Sequence, residues 1–456
     1  MKKLKYISLS LIAAMVMFSC SKKLDVQPQN NVTPDQIQTS DDVIALMLGG
    51  YGQLQNPNAF GERFQFIADL LASQDEIDFI GTFTNYADIQ SKTTIENNSI
   101  ASGIWINSYA LINSMNTVLD KIDIVDEDLR DATAAEAKFM RGITYFELVN
   151  FYSQPYSVGN TTAENSGVPI ILQPTYAYDS TVKPSRNTIE EVYQQVITDL
   201  TDASNNLPTS AQDGRATKYA AEAFLSRVYM QMHNYEEAAT MADDVINSGN
   251  YFLVSDYSKA FNNDGYSTED IFGILQSSQS NAGTNNNGLP TFYAALPVGR
   301  GDAQVNAGYF DYFSGNDQRA AFFYDGGSIG GFSGTYTGKY STLYKTIPVV
   351  RIAEMYLTRG EANLRKGGEP VGGVAPDDDI NVVRSARSAD LISDATGLDF
   401  VDERFRELAF EGDRVWTRKR LKLQIDGLSY DDPMLVLPIP QREMDVNKNL
   451  VQNAGY

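Results

Sequence analysis

The two residue types that most often act as nucleophile or base are nearly absent from this chain. Its 456 residues include one cysteine, Cys20, and one histidine, His233. A zinc site needs three or four ligands, usually including His or Cys, and a Ser–His–Asp triad would have to use His233. No Ser or Cys nucleophile signature accompanies His233, so we predict that it is a loop residue. The sequence therefore predicts no metal site and no cofactor.

Carboxylate chemistry stays open, because the chain has 58 Asp and Glu residues. Three glutamates share a predicted helical stripe, with arginines close to them: Glu403, Glu407, Glu411, Arg404, Arg406 and Arg414. A glycosidase needs two carboxylates with separate roles. Carboxylates between arginines usually have lowered pKa values, which suits ion pairs better than a general acid. We predict a structural network here, and also for Arg351 with Glu354, and we keep a surface glycosidase as the alternative.

Charge and composition limit the partners of the chain. The formal net charge is −22, the mean hydropathy is −0.29 and 43% of the residues are hydrophobic. An acidic protein is repelled by nucleic acid and by anionic lipid head groups. We therefore predict no nucleic-acid partner, whereas neutral ligands remain possible. The length allows one large domain with a sizeable core.

The first 20 residues have the order of a secretory signal. Lysines at positions 2, 3 and 5 precede a nearly apolar stretch from Ile7 to Phe18, which is too short to span a bilayer. Small Ser19 then precedes Cys20, as in bacterial lipoprotein signals. We predict removal of residues 1–19, acylation of Cys20 and a polar tether over residues 20–40. The alternative is an ordinary secreted protein with an incidental cysteine.

Much of the remaining chain has the 3.6-residue apolar period of helices. One stripe begins at Trp105 and Tyr109, and the next runs from Phe139 to Val149. Thr188 and Glu191 form a predicted capping box. Further helices are predicted from Ile352 and over residues 403–411, the latter with Gly412 as its C′ residue. The fold class is therefore mainly α, with minor β structure in the middle.

Residues 220–248 carry a more specific pattern. Apolar and small residues from Leu225 to Val245 have the spacing of one tetratricopeptide repeat, a pair of antiparallel helices. His233 falls at the turn between the two helices. By contrast, residues 276–290 and the glycine-rich residues 325–345 are predicted to be long irregular loops, which in compact domains are usually functional or disordered.

Six segments in this order resemble the SusD/RagB family of surface nutrient-binding lipoproteins. They begin with AEAKFMRGITYFELVNFYSQPY and TKYAAEAFLSRVYMQMHNYEEAATMADDVI, and they continue with RIAEMYLTRGEANLRKG, INVVRSAR, ERFRELAFEGDRVWTRKRLK and LPIPQREMDVNKNLVQNAGY. The resemblance implies a SusD-like fold over residues 41–456. Its N-terminal part, about 41–250, would hold tetratricopeptide-like helix pairs, and its C-terminal part, about 251–456, a loop-rich ligand-binding half.

The resemblance also implies a function. Members of the family capture oligosaccharide, or in some cases peptide, and deliver it to a SusC-like TonB-dependent barrel in the outer membrane. We therefore expect a non-catalytic protein that is lipid-anchored to the outer membrane and faces the cell exterior. A non-catalytic envelope adaptor or peptide-binding protein is the further alternative.

A sugar site needs aromatic faces for stacking and planar polar groups for hydroxyl pairs. The resemblance places the ligand contacts in residues 75–90 and 291–313. The glycine-rich loop contributes one further candidate, Tyr336. The candidate ligand-binding residues are Asp75, Asp78, Phe79, Phe83, Asn85, Tyr86, Tyr293, Arg300, Asp302, Tyr309, Tyr312 and Tyr336. Each aromatic among them is as well explained by a position in the core. Tyr336 is expected to be less easily buried because of its loop.

Overall fold

The computed structural model describes residues 36–177, 181–210 and 214–456, and these residues are mainly α-helical, as predicted. Cys20, and with it the predicted acylation, lies outside the described residues. The helices are α1 Ser40–Gln55, α2 Arg63–Leu71, α3 Thr84–Gln90, α4 Ser99–Asp120, α5 Glu127–Tyr152, α6 Ile189–Asn206, α7 Lys218–Met232, α8 Tyr235–Asn247, α9 Leu289–Tyr293, α10 Ile352–Lys366, α11 Pro376–Ala386, α12 Gly397–Leu408, α13 Arg414–Arg420 and α14 Gln441–Val446.

The predicted apolar stripes lie on the buried faces of long helices. Trp105 and Met115 are buried on α4, and Phe139 is buried on α5. Helix α6 begins with the predicted capping box, in which the hydroxyl of Thr188 accepts from the Glu191 N–H and the Glu191 carboxylate accepts from the Thr188 N–H. Helices α4, α5 and α6 pack in sequence, which forms the N-terminal half of the scaffold.

The predicted helix hairpin consists of α7 and α8. Ala223, Ala238 and Ala242 are fully buried where the two helices approach. His233 occupies the turn with a φ of 62°, and its Nε2 lies 2.7 Å from the carbonyl oxygen of Arg420. The prediction that His233 is a turn residue is therefore confirmed. Helix α7 also packs on α6, and α8 packs on α10, so the hairpin joins the two halves of the chain.

Short strands in the described residues form three antiparallel pairs. The strands are β1 Ile77–Phe79, β2 Asp270–Ile274, β3 Ala303–Val305, β4 Phe323–Gly327, β5 Ser333–Thr337 and β6 Ile347–Arg351. Strand β1 pairs with β3, β2 with β6, and β4 with β5. The β2–β6 pair is buried throughout and leads directly into α10.

Two local predictions are wrong. The glycine-rich residues 325–345 are not an irregular loop, because β4 and β5 form a regular hairpin there. The helix that contains the charged stripe ends at Leu408, so Gly412 is not its C′ residue. Gly412 has a φ of 84°, and a β-carbon at this position would lie 3.0 Å from the Cα of Gln65. A glycine is needed at this position because the chain passes close over α2 and has a positive φ.

The C-terminal segment packs on the scaffold, as predicted, through Leu437 and Ile439, which are buried. The N–H of Leu437 donates to the carbonyl oxygen of Phe151 over 2.7 Å. The segment is not wholly extended, because it contains α14. Among residues 36–177, 181–210 and 214–456, no helix combines the length and the apolar character that crossing a membrane requires.

Candidate functional site

The β1–β3 ladder presents polar side chains on one face. Asp78 lies opposite Gln304, and the ladder continues on both sides through the N–H of Ile80 to Asp302 and the N–H of Asn306 to the carbonyl of residue 76. Since side chains alternate across a strand, Asp78, Asp302, Gln304 and Asn306 share a face. The amide of Asn306 donates to both carboxylate oxygens of Asp78, over 3.1 and 3.0 Å.

Arg300 stands at the end of this polar face. Its Nε donates to Asp302 over 2.7 Å, and its Nη2 lies 3.4 Å from the hydroxyl of Thr82. The guanidinium carbon lies 4.6 Å above the ring centroid of Phe83, a cation–π contact. Burial raises the pKa of Asp302, and Arg300 opposes this rise. The side chain of Arg300 is 16% exposed, so it is mostly buried and only a small part of it can reach a ligand.

We call Asp78, Phe83, Arg300 and Asp302, together with Gln304 and Asn306, the Arg300 site. Its members come from the two segments that were predicted to contact ligand, which the β1–β3 ladder brings together. The site offers carboxylate, amide and guanidinium groups beside a half-buried phenyl ring. Such groups can exchange hydrogen bonds with hydroxyl groups and pack against an apolar ring face.

Phe79 and Asn85 lie at the border of the Arg300 site. The half-buried ring of Phe79 points to the other face of β1, where it packs 5.8 Å from the ring of Tyr86. The amide of Asn85 donates to the hydroxyl of Ser99 over 2.7 Å. These contacts support the segment that carries Phe83.

Four predicted tyrosines lie in the core. Tyr86, Tyr293, Tyr309 and Tyr336 are at most 3% exposed. Tyr293 donates to the buried carboxylate of Asp69 over 2.6 Å, and burial raises the pKa of Tyr293. The expectation that Tyr336 is less easily buried is wrong, because the β4–β5 hairpin turns it inward. In this conformation none of the four rings is available to a ligand.

Asp75 and Tyr312 lie next to α12 and α13, and Asp75 also borders Asn306: a β-carbon on Gly308 would lie 2.9 Å from Asp75 Oδ1 and 3.2 Å from Asn306 Oδ1. The ring of Tyr312 packs edge-on against Phe405 at 4.7 Å. Arg414 stacks on the other side of this cluster, 3.7 Å from the centroid of Phe405, and its Nη2 lies 3.8 Å from Asp75. Tyr312 therefore belongs to the cluster around Phe405, whereas Asp75 lies between that cluster and the Asn306 end of the Arg300 site.

The charged stripe of α12 forms a buried ion-pair network, as predicted. The predicted pair of Arg351 with Glu354 is wrong, because Arg351 pairs with other glutamates of this network and Glu354 pairs with Arg227. Glu407 is fully buried and pairs with Arg351 and Arg387, each over 2.8 Å. Burial would raise the pKa of Glu407, but the two arginines outweigh it and the pKa falls below its ordinary value. Glu403 is also fully buried and pairs with Arg319 over 2.7 Å. In the part of the chain that the structure describes, no group of three His, Cys, Asp or Glu residues could hold a metal ion.

Two family models match most of the chain. Residues 22–230 match a SusD-like family described as "Starch-binding associating with outer membrane", and residues 299–432 match the SusD/RagB model, described as "SusD family". This chain belongs to the SusD/RagB family. The SusD/RagB resemblance of the six sequence segments is thereby confirmed.

Relatives and solved structures agree with this assignment. SusD-like protein P38 of Formosa agariphila is 23% identical over the full length of both chains. SusD-like protein P2 of the same organism is 27% identical, but the chain spans only about half of that relative, 47%. A SusD superfamily protein from Bacteroides thetaiotaomicron has a TM-score of 0.81 at 24% identity and covers 91% of this chain and 99% of its own. The SusD-like, mainly α fold is therefore confirmed.

Sequence reasoning missed Gln304 and Asn306 of the Arg300 site. The signal was present in the strict alternation of polar and apolar residues over Asp302–Asn306, which is typical of a strand with one polar face. It also missed Phe332, which lies on the turn of the β4–β5 hairpin and is 56% exposed. Because three glycines lie near Phe332, the segment was predicted to be a loop and the hairpin was not expected.

Proposed function

We propose that this protein captures neutral oligosaccharides at the Arg300 site and does not alter them. The observation that carries the proposal is the polar face of β1–β3, on which Asp78 is exposed and Gln304 and Asn306 are half-buried. This face ends at a guanidinium that is fixed between Phe83 and the buried Asp302. The exposed carboxylate of Asp78 and the formal net charge of −22 disfavour anionic sugars. The description of the matched family as starch-binding supports a carbohydrate ligand.

Binding at this site combines two contributions. The ring of Phe83 packs against the apolar face of a sugar, while the polar groups of the β1–β3 face bond its hydroxyls. Each hydroxyl exchanges hydrogen bonds with water for hydrogen bonds with protein, so the net gain per bond is only about 0.5–1.5 kcal/mol. Affinity should therefore be modest, and selectivity should depend on the pattern of polar groups.

Calorimetry against purified neutral glucan, mannan and xylan hexasaccharides tests this function, with a peptide panel as comparison. We expect heat of binding for at least one sugar and no new reducing ends after prolonged incubation. Growth of reducing ends would favour the glycosidase alternative. If no sugar gives heat of binding but a peptide does, the peptide-binding alternative is favoured. If the protein binds only another envelope protein, the adaptor alternative is favoured.

Replacing Arg300 with alanine should weaken sugar binding about 10- to 100-fold, because hydrogen bonds from a charged donor contribute about 1.5–3 kcal/mol. Calorimetry with the best-bound hexasaccharide measures the change. Arg130→Ala is the matched control, since Arg130 donates only to backbone carbonyls near the start of α5. Equal affinities of the two variants would contradict a ligand role for Arg300.

We also propose that the protein is anchored to the outer membrane through acylated Cys20, faces the exterior and delivers its cargo to a SusC-like TonB-dependent barrel. The lipoprotein-type signal and the family support these steps. Several acyl chains give a stable anchor, because each buried CH₂ contributes roughly 0.8 kcal/mol.

Cys20→Ala should move the protein from the membrane fraction to the soluble fraction. The neighbouring substitution Ser21→Ala keeps the cysteine and should leave the protein membrane-bound. Fractionation followed by immunoblotting distinguishes the two variants. Retention of the alanine variant in the membrane would show that another contact anchors the chain.

A further inference from the structure

Three large apolar side chains are exposed at one edge of the Arg300 site. Leu296, Ile329 and Phe332 are 50, 54 and 56% exposed. Ile329 and Phe332 lie on the turn between β4 and β5, and the N–H of Leu296 donates to the carbonyl of Gly327 at the end of β4 over 2.9 Å. Exposed apolar side chains that cluster on an ordered turn are typical of contact surfaces.

The turn holds Phe332 in a defined position. Its N–H donates to the hydroxyl of Ser328 over 3.1 Å, and its carbonyl accepts from the Ser328 N–H over 2.8 Å. Its ring covers Gly330, where a β-carbon would lie 3.0 Å from the ring. The backbone of Phe332 is therefore ordered before a ligand binds, which lowers the entropic cost of binding there.

Backbone contacts join this turn to the Arg300 site. The N–H of Ile329 donates to the carbonyl oxygen of Arg300 over 2.7 Å. A β-carbon on Gly301 would lie 3.1 Å from the Cα of Ser328, so the two backbones touch at the residue after Arg300. The amide of Gln304 bonds the hydroxyl of Tyr336 on β5 over 2.9 Å. The turn and the polar face therefore form one continuous unit.

We propose that Phe332 is the aromatic wall of this site and stacks on the apolar face of a pyranose ring in a neutral glycan. This inference rests on the proposed function. The predicted tyrosines are buried and Phe83 is half covered by Arg300, so Phe332 is the aromatic residue of this region with the most open face. The neighbouring carboxylate, amide and guanidinium groups suit a hydroxyl-rich ligand better than an apolar protein surface.

Substitution of Phe332 tests the inference. Phe332→Ala should weaken binding of the best-bound neutral hexasaccharide about three- to tenfold, the range expected for one aromatic stacking contact. Phe332→Tyr should restore most of the affinity, since it retains the ring. Phe252→Ala is the matched control, because Phe252 is 60% exposed and lies in the segment that follows α8.

The outcomes separate this inference from the proposed function. Unchanged affinity of the Phe332→Ala variant, with a wild-type protein that binds the sugar, overturns the inference and leaves the function intact. Loss of binding to a purified barrel with unchanged sugar affinity assigns Phe332 to a protein contact and also overturns it. A wild-type protein that binds none of the sugars refutes both proposals. Circular dichroism confirms that each variant is folded.

Discussion

Replacing Arg351 with methionine should lower the free energy of unfolding by about 3–5 kcal/mol, as expected when one partner of a buried ion pair is removed. The side chain of Arg351 is fully buried and bonds Glu269, Glu407 and Glu411 over 2.7–2.8 Å. Methionine would fill much of the space but leave these carboxylates without their shared cation. Urea denaturation at pH 7 measures the loss.

Two further variants serve as comparisons for this prediction. Lys138→Met breaks a surface pair with Asp202 whose side chains are 31 and 41% exposed, so we expect a loss of at most about 1 kcal/mol. Glu411→Gln keeps the shape of the side chain and should cost about 1–3 kcal/mol, which gives a measurable value even if Arg351→Met does not fold. Similar urea midpoints for Lys138→Met and Arg351→Met would show that the network is not a major source of stability.

The helical scaffold was predictable because local signals determine it. The capping box of Thr188 and Glu191 indicates where a helix begins. The small residues of α7 and α8 indicate where two helices approach closely. The charged stripe itself was also predictable from the sequence, but the partners of Glu407 were not, because Arg351 and Arg387 come from other parts of the chain. Interactions within a few residues fix the helices and their ends.

The Arg300 site was only partly predictable, since pairing between distant segments builds it. Its two strands lie more than 200 residues apart in the chain, and the register that places Asp78 opposite Gln304 depends on the whole fold. Burial of the tyrosines has the same origin. Tyr309 is an aromatic residue of the kind that was predicted to contact ligand, yet it packs against Phe405 and Phe410 in the core. No local pattern distinguishes these two environments.

The glycine-rich hairpin shows a second limit. Glycine usually weakens strands, so residues 325–345 were predicted to be a loop. Here small residues are required for close contacts: a β-carbon on Gly326 would lie 2.4 Å from Ala295, and one on Gly334 would lie 2.3 Å from the side chain of Gln304. These contacts hold the hairpin against the Arg300 site, and they place Phe332 at its edge.

Glu147 should make stability fall as the pH rises. It lies on α5 with 6% of its surface exposed and lines a cavity of about 60 Å³. Burial raises the pKa of Glu147 from 4.5 to about 8. The charge of Arg227 opposes this rise only in part, because Arg227 is already paired with Glu354 over 2.6 Å. A raised carboxyl pKa means that the folded state holds the proton more tightly. The stabilisation is therefore complete below pH 4.5 and is lost as the pH rises through 8.

The substitution Glu147→Gln should remove this dependence, since glutamine has no proton to lose. Each pKa unit corresponds to about 1.4 kcal/mol, so the variant should gain up to roughly 5 kcal/mol of stability relative to the wild type between pH 5 and pH 9. Urea denaturation at pH 5, 7 and 9 measures the difference. Glu237→Gln is the matched control, because it makes the same substitution at an exposed position of α8. Parallel profiles of the wild type and Glu147→Gln would show that the cavity solvates the ionised carboxylate as well as water does.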